Sequence, residues 1–75
     1  MTFQDLPPRR ILERLASELT ARQFDVYLLR VVTGASFAQI ASMMDISKGT
    51  AHQHYAAAKR RVGDLEWNME DEHGR

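Results

Sequence analysis

The sequence contains no cysteine and no long apolar run. Without cysteine, the chain has no disulfide framework and no thiol chemistry. A membrane span needs roughly 20 consecutive apolar residues, and no stretch approaches that length. The first ten residues also lack the apolar segment of a secretion signal. We therefore expect a cytoplasmic protein that makes no contact with a membrane.

The chain also lacks the residue patterns of catalysis and cofactor binding. It has no Gly-rich phosphate loop and no pair of carboxylates placed for a cleft, and a small bundle leaves little room for a substrate pocket. His52 and His54 are two positions apart, so on a helix they point roughly 200° away from each other and cannot share an ion. The sequence therefore predicts no enzyme, no cofactor and no metal site.

The net charge is zero, but the charges are unevenly distributed. Residues 1–63 contain nine Lys and Arg against five Asp and Glu, whereas residues 64–75 contain Arg75 and five acidic residues. We predict a basic domain over residues 1–63 and an acidic C-terminal tail over residues 64–75. Within the tail, Trp67 is expected to fold back onto the domain, with a partner-binding anchor as the alternative.

The apolar residues recur at helical spacing, which predicts an all-α fold. A first helix is expected from Pro7 to Glu18, with both prolines in its first turn, where backbone N–H groups have no partner. Thr20 with Gln23 three residues later is a capping box for a second helix, and Gly34 closes that helix. A single domain of this size is near the lower limit for a self-supporting core.

Residues 36–62, SFAQIASMMDISKGTAHQHYAAAKRRV, are the most informative segment. Ser36 and Gln39 form a second capping box, and Asp45 follows at a turn where the backbone often needs positive φ. Ser47 can cap a fourth helix. Two short helices joined by a tight turn are the sequence form of a helix-turn-helix. We predict a small three- to four-helix bundle containing this motif.

The fourth helix has distinct inner and outer faces. Ala51, Tyr55, Ala58 and Val62 lie on one stripe, which predicts the buried side, and the helix is expected to end near Gly63. The opposite face carries small side chains in the first turns of the helix and basic side chains at its end. Such a face suits a helix that enters a DNA groove and meets phosphates beside it. The residues on this outer face are Gly49, Gln53, Ala56, Ala57 and Arg60.

The chain resembles region 4 of sigma factors, most closely that of the extracytoplasmic-function group. The pattern RQ..V.LLR...G.S...IA..L.IS.GT.......A...L matches without a gap over about residues 19–62. LuxR-type regulators are the near relative, but their loop before the capping serine is one residue shorter, and they add a dimerising helix after position 62. The matching residues are Arg22, Gln23, Val26, Leu28, Leu29, Arg30, Gly34, Ser36, Ile40, Ala41, Ile46, Ser47, Gly49, Thr50, Ala58 and Val62.

This chain also departs from the sigma pattern. Ala51 replaces the usual valine, so we expect the fourth helix to lie closer to its neighbour, whereas Met44 for leucine should be neutral. His52 and Gln53 stand where the family usually has Lys or Arg and Ser or Asn. The family's target preference therefore cannot be transferred to this protein.

Two classes of function follow. The first is a sequence-specific double-stranded DNA-binding module in transcription regulation, with the recognition helix over about residues 48–62 in the major groove. In that function, the residues facing base edges are Lys48, Gly49, His52, Gln53 and Ala57. The residues holding phosphates are Ser36, Thr50, Lys59 and Arg60, with help from the N-terminus of the third helix.

The second class is a protein-interaction module that binds RNA polymerase or another regulator through the same fold. The resemblance implies this too, because region 4 also binds the β-flap of the polymerase. The acidic tail favours a protein partner or partial autoinhibition, since it would repel nearby DNA. A lone module of modest charge needs help to bind DNA tightly, and a homodimer, tandem sites or recruitment by a partner would each supply it.

Overall fold

The fold is described from a computed structural model, which covers the backbone of residues 6–73 and the side chains of residues 6–66. Every element in this part of the chain is a helix, so the expected all-α class is confirmed. The side chain of Trp67 lies outside the described side chains. No helix within residues 6–73 is both long enough and apolar enough to cross a membrane. The helices are α1 (Arg9–Glu18), α2 (Ala21–Thr33), α3 (Phe37–Met44) and α4 (Lys48–His73).

The start of α1 differs slightly from the sequence prediction. The helix begins at Arg9, and Pro8 occupies the N-cap position with an extended backbone, ψ 157°. Pro7 cannot join the helix because a residue that precedes proline is disfavoured in the helical region. The Pro8 carbonyl accepts the first helical hydrogen bond, from Leu12 N–H at 3.0 Å. The prolines therefore precede the first turn rather than lie inside it.

The ends of α2 and α3 follow the predicted capping chemistry. Thr20 and Ser36 each accept a hydrogen bond from the backbone N–H three residues later, and both capping boxes are complete. Gly34 closes α2 with φ 73°, and Asp45 closes α3 with φ 57°. These two residues are the only ones at positive φ in the described chain. The lengths of α2 and α3 are thus set by local residues at their ends.

The core consists of two clusters of buried side chains that share one tyrosine. The first cluster joins α1, α2 and α4, and the second joins α2, α3 and the start of α4. Tyr55 is partly buried and packs against both clusters, so α4 connects the two halves of the bundle. The first cluster contains Ile11, Leu15, Tyr27, Val31, Ala58, Val62 and Leu65, and the second contains Val26, Ile40, Ala41 and Ala51.

The fourth helix does not end near Gly63, so that prediction was wrong. α4 continues to His73 without interruption. Leu65 follows Val62 by three residues, extends the inner stripe by one turn and is only 4% exposed. Burial of this leucine compensates for the glycine that precedes it. A boundary between domain and tail at residue 63 remains a prediction, although the helix crosses it.

Gly63 lies inside α4 without a structural need for glycine. It is exposed, and a Cβ added there would meet nothing within 4 Å. We expect Gly63→Ala to raise the free energy of unfolding by about 0.5–1 kcal/mol, because alanine loses less backbone entropy in a helix. Urea denaturation followed by circular dichroism measures the change. Ala56→Gly, at an exposed site in the same helix, should give the opposite sign, and an unchanged Gly63→Ala would contradict the continuous helix.

Candidate nucleic-acid interface

The turn between α3 and α4 fixes the direction in which α4 leaves the bundle. Asp45 adopts the left-handed conformation, φ 57° and ψ 47°, as the sequence predicts. The Ile46 N–H then donates to the Ala41 carbonyl at 3.0 Å. Ser47 caps α4 by accepting from the Thr50 N–H at 3.0 Å. Three consecutive residues therefore define the start of the predicted recognition helix.

The inner side of α4 is built from small residues where it crosses its neighbours. Ala51 and Ala58 are both fully buried, one in each core cluster. Ala51 packs in the cluster that contains Ile40 and Ala41 of α3. A methyl side chain at such a crossing permits a short distance between helix axes. The expectation that Ala51, in place of valine, brings α4 closer to its neighbour stays a prediction.

The outer side of α4 is open. Lys48, Gly49, Gln53 and Arg60 are all exposed, and none of them is covered by the rest of the domain. Residues 48 and 60 are separated by roughly 18 Å along the axis, which exceeds the width of a major groove of about 12 Å. A helix of this length can therefore meet base edges near its start and phosphates near its end. Ala57 is only partly exposed, on the flank of this face.

Gly49 has no packing role inside the domain. A Cβ at this position would meet only the Ser47 hydroxyl, at 4.0 Å, and the residue is exposed. Its backbone φ is negative, so any L-residue could adopt the conformation. The fold itself therefore does not require glycine at position 49. The missing side chain leaves room for another molecule to approach the backbone of α4 closely.

The candidate phosphate ligands are of two kinds. Ser36 and Thr50 use their hydroxyl oxygens as acceptors, Ser36 from Gln39 N–H at 3.1 Å and Thr50 from the Ser47 hydroxyl at 2.8 Å. Each hydroxyl thus retains its own proton for donation. Lys59 and Arg60 are exposed cations with no ion pair in residues 6–66. The two hydroxyls lie at the starts of α3 and α4, and the two cations lie more than two turns further along α4.

The three basic residues at positions 59–61 differ in their partners, because only Arg61 forms an ion pair within the described residues. Arg61 Nε lies 3.1 Å from Glu18 Oε1, and Arg14 Nη2 lies 2.8 Å from Glu18 Oε2. Glu18 therefore pairs with Arg14 within α1 and joins the end of α1 to α4 through Arg61. Such exposed pairs stabilise a fold only slightly, by about 0–1 kcal/mol. Their effect here is to direct Arg61 toward α1, away from the outer face where Arg60 lies.

One predicted base-facing residue has a partner that the sequence did not indicate. The His52 ring lies on Phe37 in a tilted arrangement, with 3.8 Å between ring centroids and 31° between planes. Arg30 lies over the same phenyl ring, with its guanidinium carbon 4.9 Å from the centroid. The His52 residue is otherwise exposed. No spacing rule relates positions 30, 37 and 52, because the contact is between three different helices.

The described part of the chain contains no group of three or more His, Asp and Glu side chains that could hold a metal ion. His52 and His54 belong to the same helix but to different surroundings, since only His52 stacks on Phe37. The arrangement of the described residues is thus one of small, hydrogen-bonding and cationic groups along one helix face. These groups form an exposed surface along α4 rather than the lining of an enclosed cavity.

The fold and this face define a helix-turn-helix protein. Residues 9–62 match the family described as sigma-70, region 4. The chain belongs to this transcription-related family, as the resemblance implied. The match ends at Val62, before the helical segment that contains Leu65. Searches of curated proteins and of solved structures returned no match.

Proposed function

We propose that this protein is a non-catalytic, sequence-specific double-stranded DNA-binding module that acts in transcription regulation. Residues 48–62 of α4 would enter the major groove. The single observation that supports this most is the open outer face of α4, where Gly49, Gln53 and Arg60 are all uncovered. We also propose that the module acts in the cytoplasm.

The chemistry of the outer face suits base edges in its first turns. Gln53 carries both a donor and an acceptor, which can pair with the N6 and N7 groups of adenine. Gly49 would let the DNA approach the backbone of α4, because no side chain occupies that space. Lys48 can reach the acceptors of guanine. These contacts would give the module its sequence preference.

Phosphates would be held on both sides of the groove. At one side, the Ser36 and Thr50 hydroxyls and the N-terminus of α3 offer hydrogen-bond donors to an anion. At the other side, Lys59 and Arg60 offer unpaired cations, whereas Arg61 is engaged by Glu18. Contacts of this kind set the register on the duplex and make affinity strongly dependent on salt.

Selection of bound fragments from a random double-stranded DNA pool tests this function directly. We expect the full chain to enrich one short sequence motif and to bind it more tightly than unselected DNA. Enrichment of a repeated half-site would indicate that a homodimer binds. If repeated rounds enrich no motif at low salt, the protein does not read DNA sequence.

A second function is favoured by a different surface. An apolar groove lies between α2 and α3, and its lining includes Met43, the large apolar side chain that is most exposed in the described chain at 60%. Because the groove is not part of the outer face of α4, it can bind a protein while α4 binds DNA. Region 4 domains bind RNA polymerase as well as DNA, and we propose this groove as the surface for such a contact. The other apolar residues lining it are Leu28, Leu29, Val32 and Met44.

A binding assay with purified RNA polymerase, after nuclease treatment, tests the second function. We expect the wild-type chain and Gln53→Ala to retain polymerase equally, and Met43→Glu to lose it, because a carboxylate cannot be buried unpaired in an apolar contact. Loss of polymerase in Gln53→Ala as well would mean that residual DNA bridges the two. Retention by Met43→Glu would exclude the groove.

A further inference from the structure

A stack of three side chains connects the three helices around the helix-turn-helix. Phe37 is the first residue of α3, and its ring contacts His52 of α4 at 3.8 Å between centroids. Arg30 of α2 contacts the same ring at 4.9 Å from its guanidinium carbon. Cations and heteroaromatic rings are both attracted to a phenyl ring in this range. We refer to Arg30, Phe37 and His52 as the ring stack.

The ring stack is anchored in the core. Tyr55 lies edge-on to Phe37, with centroids 5.4 Å apart and planes at 66°. Tyr55 in turn stacks with Tyr27, which is only 2% exposed, at 6.0 Å. A continuous series of ring contacts therefore runs from the buried Tyr27 to the exposed His52. Anchored in this way, the His52 ring lies against a fixed surface rather than free in solvent.

Arg30 extends the same connection to the loop before α3. Its Nη1 donates a hydrogen bond to the Ala35 carbonyl at 2.9 Å. Ala35 directly precedes Ser36, the N-cap of α3 and a proposed phosphate ligand. The Arg30 guanidinium thus contacts both Ala35, which precedes the N-cap of α3, and the ring of Phe37, which follows it. The N-terminus of α3 and the second turn of α4 are therefore held together by the ring stack.

We propose that His52 is a positioning residue for DNA recognition, acting through Phe37 rather than by reading a base. This inference rests on the proposed function, and it revises the role that the sequence suggested for His52. The ring stack holds the phosphate-binding end of α3 at a fixed distance from Gln53, the neighbouring base-facing residue. When both contacts must be made to one duplex, a small change in that distance weakens both of them.

Two substitutions separate positioning from base reading. His52→Phe retains a flat ring that can stack on Phe37 but removes both nitrogens. His52→Gln retains hydrogen-bonding groups but removes the ring. If His52 positions, His52→Phe binds the selected DNA within about twofold of wild type, whereas His52→Gln and His52→Ala lose about tenfold, the equivalent of one good contact. If His52→Gln binds normally and His52→Phe loses affinity, the histidine reads a base and the proposal is wrong.

A second measurement requires no DNA. Backbone amide resonances of residues 35–39 in the folded chain should shift in His52→Ala and His52→Gln but remain near wild type in His52→Phe. Gln53→Ala is the matched control, because that side chain is exposed and has no ring contact in the described part of the chain. Equal, small shifts in His52→Ala and Gln53→Ala would show that the ring does not hold α3, and would overturn the proposal.

The two measurements also distinguish this proposal from the function on which it rests. If the wild-type chain selects no DNA sequence, the proposed function fails, and the amide resonances alone decide whether His52 holds α3. A double-mutant cycle of Phe37→Leu with His52→Ala provides the last check. The two changes should be strongly non-additive in DNA affinity if they act through one contact, and additive losses would contradict the stack.

Discussion

Replacing Leu65 with alanine is expected to lower the free energy of unfolding by about 2–5 kcal/mol, the usual range for a buried leucine. Leu65 is 4% exposed and packs in the cluster formed by α1, α2 and α4. Small domains have little stability to spare, so most of the margin would be lost. Urea denaturation monitored by circular dichroism measures the change. Glu66→Ala, at the exposed neighbouring position, should change stability by less than about 0.5 kcal/mol.

Truncation provides an independent check of the same contact. A chain that ends after residue 63 lacks Leu65 and should be destabilised as strongly as Leu65→Ala, whereas a chain that ends after residue 66 should fold normally. Equal stability of the two truncated chains would show that α4 does not stabilise the core beyond residue 63. The chain that ends after residue 66 is therefore the one that can test whether the acidic tail opposes DNA binding, because its core remains intact.

The continuous helix also limits how such a tail could act. Glu70 lies roughly 25 Å from Gln53 along the axis of α4 and roughly 15 Å from Arg60. Charges separated by more than about 10 Å are largely screened at 0.1 M salt. We therefore expect removal of residues 67–75 to tighten DNA binding at low salt only, through the end of the interface near Arg60.

Substitution of Gln53 by alanine is expected to weaken binding of the selected DNA by about 1–3 kcal/mol and to relax preference at one base pair. The exposed amide would lose a pair of hydrogen bonds to a base, while folding would be unaffected. Arg60→Ala should instead lower the affinity for all DNA sequences equally. The slope of log affinity against log salt concentration should fall by about one, the value for one lost phosphate contact. Equilibrium binding over a series of salt concentrations, on the selected site and on single-base variants, separates the two effects.

Arg61→Ala is the matched control for Arg60→Ala. The two arginines are adjacent, but Arg61 is paired with Glu18 at 3.1 Å and directed toward α1. We expect its removal to leave the salt dependence of DNA binding unchanged and to reduce stability by less than about 1 kcal/mol. If neither Gln53→Ala nor Arg60→Ala alters DNA binding, α4 is not the recognition helix. If Arg61→Ala behaves like Arg60→Ala, the distinction between these two arginines is incorrect.

Much of the fold was predictable because its limits are set by contacts between residues three or four positions apart. The capping boxes of Thr20 and Ser36, the left-handed Gly34 and the left-handed Asp45 are all local choices of the backbone. The inner stripe of α4 was equally predictable, since helical spacing alone places its residues on one side. The same rule identified the open face with Gln53 and Arg60, because the side opposite a buried stripe faces solvent.

The end of α4 was not predictable from local residues. Gly63 is typical of a helix end, and the prediction gave it more weight than the leucine two positions beyond it. Whether Leu65 is buried depends on α1 and α2, which supply the rest of its cluster. Burial of a leucine is worth about 1.5–3 kcal/mol, which exceeds the cost of about 1 kcal/mol for a glycine inside a helix.

The sequence by itself determined the capped ends of α2 and α3 and the inner and outer sides of α4, since each of these depends on neighbours within one or two turns. Only the tertiary structure decided which exposed side chains are engaged and which are free. Arg61 pairs with Glu18, and His52 lies on Phe37, across gaps of 43 and 15 positions in the chain. Such contacts depend on how whole helices cross, and that geometry is set by the core rather than by the residues that meet.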